Sequence, residues 1–290
     1  MSDPAQSLAF GAMPSSAPPR DPRELADGKL LVDRPSEHVV RLTISNPAKR
    51  NALDHPILDA ISATLAELAA GGEARCVIVT GAHGMFSAGY EIGGIADDTR
   101  FQEEAERLVA HPFTAAIEAL AGYPYPTLAA LPGHTIGGGL ELALACDLRI
   151  GVEGIKLGMP PAKLGLVYSH TGLRRFLDAI GAARTRELFL LGSYIDAATA
   201  LQWGLVNRLA PTGELQDAAL ALAVELASNA PLSQTGNKRV IAALLRAQGT
   251  LPEEVEAELI ELRRASFASR DLREGMSAFA EKRPPRWRGE

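Results

Sequence analysis

The sequence has little of what covalent or metal-based chemistry requires. It contains 2 cysteines among 290 residues, Cys76 and Cys146. Each lies in an apolar run, so we expect two buried thiols and neither a disulfide scaffold nor a zinc-ribbon site. The 6 histidines show no His-Glu-x-x-His spacing, and neither a P-loop nor a Gly-x-Ser-x-Gly elbow is present. No Gly-x-Gly-x-x-Gly follows a predicted strand. These absences leave metal, nucleotide-phosphate and serine-nucleophile chemistry without support.

Excess positive charge and long apolar runs are lacking too. The formal net charge is −6 and the pI is about 5.6, which argues against a general binder of nucleic-acid backbones. No segment approaches the ~18–20 apolar residues of a membrane span, and no secretory signal pattern is visible. We therefore expect no nucleic-acid or membrane partner and a soluble protein of the reducing cytoplasm. Aromatic residues are sparse, at 5%, whereas the 27 glycines predict tight turns and close backbone approaches.

Composition divides the chain into three parts. Residues 1–28 are rich in Pro, Ala and Ser and predict a flexible extension, with order beginning near Leu30. Residues 29–228 predict a mixed α/β core, and residues 229–290 a helical region. The core begins with a predicted hairpin of Leu30–Val32 and Val39–Ile44, and its other strands are predicted at Cys76–Thr80, Thr127–Leu131 and Val206–Leu209. Helices are predicted at residues 54–70, 101–121, 140–145, 171–180, 183–190, 197–203, 215–228, 232–247 and 253–264.

Two glycine segments each follow a predicted strand. Ser87-Ala88-Gly89-Tyr90 forms a turn with free backbone N–H groups, and Gly137-Gly138-Gly139 begins a helix, whose first N–H groups lack internal partners. Two such donors that converge on one carbonyl oxygen would form an oxyanion hole. Spacing alone favours the simpler interpretation, that these glycines only permit tight turns and close packing.

Three side chains near the second segment have suitable acid–base chemistry. Glu141 lies in the first turn of the predicted helix among apolar neighbours, either as a partner of the helix dipole or as a tuned acid or base. Burial would raise its pKa and the helix N-terminus would lower it, and the sequence leaves the outcome open. Tyr168 and His170 can move protons or orient a carboxylate, although a lone Tyr-Ser-His triplet is more typical of loop packing.

At these residues the chain resembles the crotonase, or enoyl-CoA hydratase/isomerase, superfamily. The resemblance is carried by Phe86-Ser87-Ala88-Gly89-Tyr90-Glu91-Ile92, by the segment GHTIGGGLELALACD from Gly133 to Asp147, and by Asn46-Pro47-Ala48-Lys49-Arg50-Asn51-Ala52-Leu53. Ala197 to Asn207 and Phe279 to Pro284 resemble later landmarks of that superfamily. The resemblance extends from about residue 30 to the C-terminus.

This resemblance implies a fold, a substrate class and a set of site residues. The fold is a spiral of repeated β-β-α units with a C-terminal helical region used for trimerisation, giving homotrimers or dimers of trimers. The substrates are acyl-CoA thioesters of fatty acid metabolism, with no cofactor beyond their CoA moiety and no metal. The N–H groups of Tyr90 and Gly138 would hold the thioester oxygen, and CoA would contact Lys49, Arg50, Ala52, Ala88 and, from a neighbouring subunit, Lys282.

One position departs from the pattern of the typical hydratases. Their second glutamate, which follows a Gly-x-Pro, is replaced here by Pro161, and proline cannot act as an acid or base. The segment from Pro160 to Gly172 instead resembles the methylmalonyl-CoA decarboxylase branch, which pairs the retained glutamate with a tyrosine, here Glu141 and Tyr168. The catalytic residues implied are therefore Glu141 with Tyr168 or His170.

Three functions stay open at the sequence level. The first is hydration or isomerisation of an enoyl-CoA, a lyase-type reaction in which Tyr168 or His170 replaces the lost carboxylate. The second is decarboxylation of a malonyl-type acyl-CoA by Glu141 and Tyr168. The third is a non-catalytic family member that binds CoA or RNA. The negative charge disfavours RNA, and the retained Glu141 disfavours an inactive site.

Overall fold

The computed structural model describes residues 22–91 and 112–290. Its main element is a seven-stranded sheet in the order β1-β2-β3-β4-β5-β7-β10. The strands are β1 (Arg23–Leu25), β2 (Leu30–Ser36), β3 (Val39–Ile44), β4 (Cys76–Gly81), β5 (Thr127–Leu131), β7 (Leu148–Val152) and β10 (Arg208–Ala210). The first three strands pair antiparallel, and every pair from β3 to β10 is parallel. Because β4 and β5 are buried throughout, they read as continuous apolar runs.

A smaller sheet of β6, β8 and β9 and a set of helices complete the described fold. Its strands are β6 (Thr135–Ile136), β8 (Lys156–Gly158) and β9 (Tyr194–Asp196). The helices are α1 (His55–Gly71), α2 (Pro112–Ala121), α3 (Gly138–Ala145), α4 (Pro161–Leu164), α5 (His170–Arg186), α6 (Ala197–Trp203), α7 (Leu215–Ser228), α8 (Pro231–Ala247), α9 (Glu253–Ala268) and α10 (Arg270–Glu281). A π-helical turn over Glu187–Leu191 follows α5.

Local sequence signals account for several of these boundaries. Asp54 caps α1 by accepting a hydrogen bond from the N–H of Ile57, and Gly72 ends the helix in a left-handed conformation. The apolar face of α1, which includes Ile57, Ile61 and Leu65, is fully buried. The helix predicted over 54–70 is therefore confirmed, because its cap and its apolar period are both local.

The predicted α/β core is confirmed, with differences at particular elements. The hairpin forms between β2 and β3, but order begins before Leu30, because Arg23–Leu25 pairs with Val32–Leu30. Residues 1–21 of the predicted extension lie outside the described residues. Of the helix predicted over 101–121, residues 101–111 also lie outside them, and α2 begins at Pro112. The strand predicted at 206–209 lies at Arg208–Ala210, and α10 was not predicted as a helix.

The C-terminal part is helical, as predicted. Its helix α8 is attached to the core by Lys238, whose ammonium donates to the carbonyl of Tyr125 at 3.1 Å and to Asp147 at 2.6 Å. Asp147 also accepts from the backbone and side chain of Thr127. Asp147 thus joins α8 to the N-terminal end of β5, and both cysteines are buried and free, as predicted. An assignment of residues 229–290 to oligomerisation stays a prediction.

Candidate active site

The Gly89–Tyr90 turn lies beside Leu53. The N–H of Leu53 donates to the carbonyl of Gly89 at 2.8 Å, and the N–H of Glu91 donates to the carbonyl of Leu53 at 3.1 Å. In this parallel bridge the residues on either side of Tyr90 form the hydrogen bonds with Leu53. The N–H of Tyr90 therefore points away from Leu53. Gly89 has a φ of +97°, which favours glycine. A Cβ there would lie 3.2 Å from the nitrogen of Gly138.

The second glycine segment begins α3 at this place. Gly137 adopts a φ of 57° and a ψ of −128°, a conformation that side-chain-bearing residues rarely adopt. Gly138 is the first residue of α3, so its N–H has no partner within the helix. The ring of Tyr90 packs on Gly138, where a Cβ would lie 3.0 Å from two ring carbons. The structure therefore brings the Tyr90 and Gly138 turns together, with their N–H groups unpaired among the described residues.

Glu141 and Tyr168 form the polar pair of this site. Glu141 is 4% exposed and Tyr168 is 8% exposed, and the hydroxyl of Tyr168 donates a hydrogen bond to Oε2 of Glu141. Burial raises the pKa of Glu141, while the Tyr168 hydrogen bond and the charges of Arg175 and Arg263 lower it, and the net direction is upward. Desolvation of this carboxyl thus outweighs the hydrogen bond and the two charges that lower its pKa. Burial also raises the pKa of Tyr168 well above its usual value, so this phenol holds its proton.

Gly172 permits the close contact between Glu141 and Tyr168. It lies in the first turn of α5, which Ser169 caps by accepting from the N–H of Gly172 at 3.1 Å. A Cβ on Gly172 would lie 2.6 Å from Cε1 of Tyr168 and 2.9 Å from Oε1 of Glu141. Any larger residue would push the two groups apart.

Two arginines near Glu141 were missed by sequence reasoning. Arg175 of α5 and Arg263 of α9 each interact electrostatically with Glu141. The signal for Arg175 is its position three residues after Gly172, on the buried face of α5 that also holds Phe176. Arg263 lies four residues before the buried Phe267, with its guanidinium 5.7 Å from the ring centroid. Arginines on buried helix faces are rare enough to mark a site.

His170, the third predicted catalytic side chain, has a different partner. Its Nε2 lies 3.3 Å from Oε1 of Glu256. Among the described residues no hydrogen bond joins His170 to Glu141 or Tyr168. His170 begins α5, next to the loop that carries Tyr168, so its catalytic role stays a prediction without a direct contact.

The predicted CoA-contacting residues lie in one loop and one turn. Lys49 and Arg50 follow Asn46 in a short 3₁₀ turn, and the N–H of Ala88 donates to the carbonyl of Arg50 at 3.1 Å. Nζ of Lys49 lies 3.2 Å from Glu91, and Ala52 is buried. Asn51 fixes the loop, since its amide donates to the carbonyls of Ala82 and Met85 at 2.9 and 2.7 Å.

Two further positions bear on the sequence predictions. Lys282 is exposed in a left-handed conformation at the end of α10, and no contact joins it to the Lys49 loop within the described residues. Pro161 is the buried first residue of α4, a position that suits proline. It has no group that can exchange a proton.

The described part of the chain has no cluster of metal ligands and no membrane-spanning helix. In residues 22–91 and 112–290, no three or more His, Cys, Asp or Glu side chains gather in an arrangement that could hold a metal ion. Within the same residues, no helix combines the length and apolarity needed to cross a bilayer.

Comparisons with known proteins agree with this arrangement. The sequence profile of the enoyl-CoA hydratase/isomerase family matches residues 34–290. The chain is 34% identical over 266 residues to the "probable enoyl-CoA hydratase echA8" of Mycobacterium tuberculosis, covering 89% of this chain and 97% of that one. It is 31% identical over 257 residues to a carnitinyl-CoA dehydratase of Salmonella paratyphi A, covering 87% and 95%.

Solved structures are similar in fold over most of the chain. A methylmalonyl-CoA decarboxylase complexed with 2S-carboxypropyl CoA superposes with a TM-score of 0.82 at 27% identity, covering 90% of this chain and 98% of that one. An enoyl-CoA hydratase from Bacillus anthracis superposes with a TM-score of 0.70 at 29% identity, covering 90% and 100%. The profile match spans most of the chain and the relatives are matched over nearly their whole length, so the chain belongs to the enoyl-CoA hydratase/isomerase family of the crotonase superfamily.

Proposed function

We propose that this protein decarboxylates a malonyl-type acyl-CoA through a thioester enolate. The observation that carries the proposal is the hydrogen bond from Tyr168 to the buried carboxyl of Glu141. Pro161 stands where the typical hydratases carry a second glutamate. Among the described residues, Glu141 is thus the one carboxyl of this site that we expect to exchange a proton. Hydration uses two such groups, whereas decarboxylation uses one.

The unpaired N–H groups of Tyr90 and Gly138 would donate hydrogen bonds to the thioester oxygen. When the bond between Cα and the carboxylate breaks, its electron pair forms the enolate and negative charge develops on that oxygen. Preorganised donors act most strongly on charge that appears in the transition state, and loss of one costs about 10²–10³ in rate. This step requires no cofactor beyond the CoA moiety of the substrate.

Glu141 would then deliver the proton that completes the reaction. Carbon dioxide leaves, and the proton of the neutral carboxyl moves to Cα, giving the shorter acyl-CoA and a carboxylate that takes a proton from solvent. The raised pKa of Glu141 favours the protonated form that this role needs. Tyr168 would orient the carboxyl, since its hydroxyl is the partner of Oε2.

The structural comparisons support decarboxylation over hydration. Methylmalonyl-CoA decarboxylase superposes with TM-scores of 0.81 to 0.82, against 0.69 to 0.76 for four structures of enoyl-CoA hydratases and related family members. One of the decarboxylase structures contains 2-nitronate-propionyl-CoA, whose planar, negatively charged nitronate resembles an enolate.

Hydration of an enoyl-CoA is the second candidate. The relatives with 34% identity are named enoyl-CoA hydratases, and the same two N–H groups would serve that reaction. It would require Tyr168 or His170 to replace the missing carboxylate.

Product analysis separates the two reactions. The purified protein is given methylmalonyl-CoA or crotonyl-CoA, and products are followed by mass. We expect loss of carbon dioxide from the first and no added water on the second. Turnover of crotonyl-CoA alone would overturn decarboxylation in favour of hydration, and binding of both without turnover would indicate the non-catalytic CoA binder.

Glu141→Gln tests the proton donor, with Glu225→Gln on the exposed side of α7 as its matched control. We expect turnover to fall about 10²-fold or more in the first variant and to be unchanged in the control. Folding raises the pKa of Glu141, so its stabilising contribution is complete below the unfolded pKa and is lost as the pH rises through the folded pKa. Gln has the size of Glu141 and brings no charge into the buried site, so Glu141→Gln should not lower the melting temperature, which separates lost chemistry from unfolding. Unchanged turnover would remove Glu141 from the mechanism.

A further inference from the structure

Two arginines from distant parts of the sequence lie around Glu141 with unused hydrogen-bonding capacity. Arg175 belongs to α5 and Arg263 to α9. Among the described residues, the buried Nε atom of each has no hydrogen-bond partner. A buried donor without an acceptor costs free energy, and the cost is greater for a charged group. A ligand acceptor at this place would remove that cost for both.

The charges around Glu141 are unbalanced. Both guanidinium groups interact with this one carboxyl. Arg175 also interacts with Glu118 and Asp178, but Glu118 is exposed and Asp178 accepts from Arg174 at 2.7 Å. Within residues 22–91 and 112–290, two positive charges thus face a single buried carboxyl that supplies at most one negative charge, and a further anion would balance them.

The two arginines approach the site from different elements. Gly172, one turn before Arg175 on the same face of α5, brings that face against the carboxyl of Glu141. Arg263 is held over Phe267, which belongs to a small apolar cluster that packs against Tyr90. A group placed between Glu141 and Tyr90 therefore has Arg175 on the α5 side and Arg263 on the α9 side.

We propose that Arg175 and Arg263 bind a carboxylate on the acyl group of the substrate, so that the site selects carboxyacyl-CoA over neutral acyl-CoA. This inference rests on the proposed acyl-CoA function. The guanidinium fork matches the geometry of a carboxylate and forms strong charge-assisted hydrogen bonds with it. The carboxylate bound is either the one on Cα that leaves as carbon dioxide or one further along the chain that is retained.

The proposal predicts a particular kinetic pattern. Contacts to the carboxylate form when the substrate binds, and contacts to a leaving carboxylate do not strengthen as carbon dioxide departs. Loss of such contacts raises KM and does not lower kcat. The two arginines are thus specificity-determining residues, distinct from the proton donor Glu141.

Binding measurements on two isomers and a neutral reference test the proposal. Methylmalonyl-CoA carries its extra carboxylate on Cα, succinyl-CoA carries it one carbon further, and propionyl-CoA has none. KM is measured for methylmalonyl-CoA, and Kd by calorimetry for the other two, in Arg175→Gln and Arg263→Gln. The matched controls are the adjacent Arg174→Gln and Arg264→Gln, whose side chains pair with Asp178 and Glu261.

We expect each test variant to weaken the binding of one of the two isomers, with its KM or Kd rising about 10- to 100-fold, as loss of a charged hydrogen bond predicts. The Kd for propionyl-CoA should change less than twofold in the test variants, and the control variants should change less than twofold with every ligand. The isomer whose binding is weakened shows where the carboxylate lies. Equal weakening of propionyl-CoA, or no change with either isomer, would overturn the inference. Arg175→Lys and Arg263→Lys keep the positive charge and should disturb folding less. They should give an intermediate loss of binding. If the wild-type protein does not decarboxylate methylmalonyl-CoA, the proposed function itself is wrong; if the inference alone fails, that turnover is intact.

Discussion

At the scale of single residues, the site depends on how Tyr168 and burial act on Glu141. Burial is the largest influence and raises the pKa of the carboxyl, and the hydrogen bond from Tyr168 is the largest influence that lowers it. A phenol that donates to a carboxylate stabilises the charged form. Tyr168 therefore lowers the pH at which Glu141 loses its proton.

The first prediction concerns Tyr168→Phe. Removing the hydroxyl removes the influence that lowers the pKa of Glu141, so that pKa rises further. Since Glu141 acts as the acid, kcat/KM falls as the pH rises through its pKa, and the alkaline limb of the profile should move to higher pH. The maximal rate should drop about 10- to 100-fold, because the carboxyl loses its orienting partner.

The control for this variant is Tyr194→Phe, which alters an exposed tyrosine on β9. Its pH profile should match that of the wild-type protein. A limb that moves to lower pH, or one that does not move, would show that Tyr168 does not act through the ionisation of Glu141.

At the scale of elements, the approach of α5 to α3 decides whether the polar pair can form. The two helices meet at Gly172, where the Tyr168 ring and the Glu141 carboxyl occupy the space of a missing Cβ. Close packing of this kind does not tolerate an added methyl group without displacement.

Gly172→Ala tests that approach. We expect the added methyl group to displace Glu141 and Tyr168, with turnover falling at least tenfold and the free energy of unfolding falling by about 1–3 kcal/mol. The matched control is Gly236→Ala in α8, where an added Cβ meets nothing within 4 Å. That change should raise stability by about 0.5–1 kcal/mol. Urea unfolding and turnover measure both effects, and a Gly172→Ala protein equal to the wild type would contradict the proposed contact.

At the scale of the whole molecule, α8 exposes apolar side chains. Val240, Ile241 and Leu244 are 58%, 58% and 60% exposed, and they lie on one face of the helix by its period. Contiguous exposed apolar surface of this kind commonly marks a protein interface. The resemblance to trimeric proteins makes other copies of this chain the expected partners.

The corresponding prediction is a homotrimer or a dimer of trimers in solution. Leu244→Gln should weaken the assembly and lower the sedimentation coefficient, because it places a polar group in the apolar face. Arg246→Gln, which alters the opposite face of the same helix, should leave the sedimentation unchanged. A wild-type protein that sediments as a monomer at micromolar concentration would rule the prediction out.

Much of the fold follows from local patterns. The helix predicted over 215–228 has the same bounds as α7, because an apolar face repeats at the helical period along it. The strand predicted over 127–131 coincides with β5. In contrast, β6, β8 and β9 have two or three residues each, too few for a periodic signal. Helix α10 was missed although its signals are local. Ser269 caps it by accepting from the N–H of Leu272, and its buried residues Leu272, Gly275 and Ala278 recur at intervals of three.

The sequence by itself determined the family, the glycine turns and the presence of Glu141 at the start of a helix. The tertiary structure decided which groups surround that carboxyl. The resemblance implies Tyr168 as its partner, and the structure makes that contact across 27 residues. Arg263, which comes from a helix at the far end of the chain, was not predicted. Periodicity and capping depend on interactions within one or two turns, so sequence exposes them. The pKa of a buried group depends on desolvation and charges from distant segments, and only their assembly in space fixes its direction.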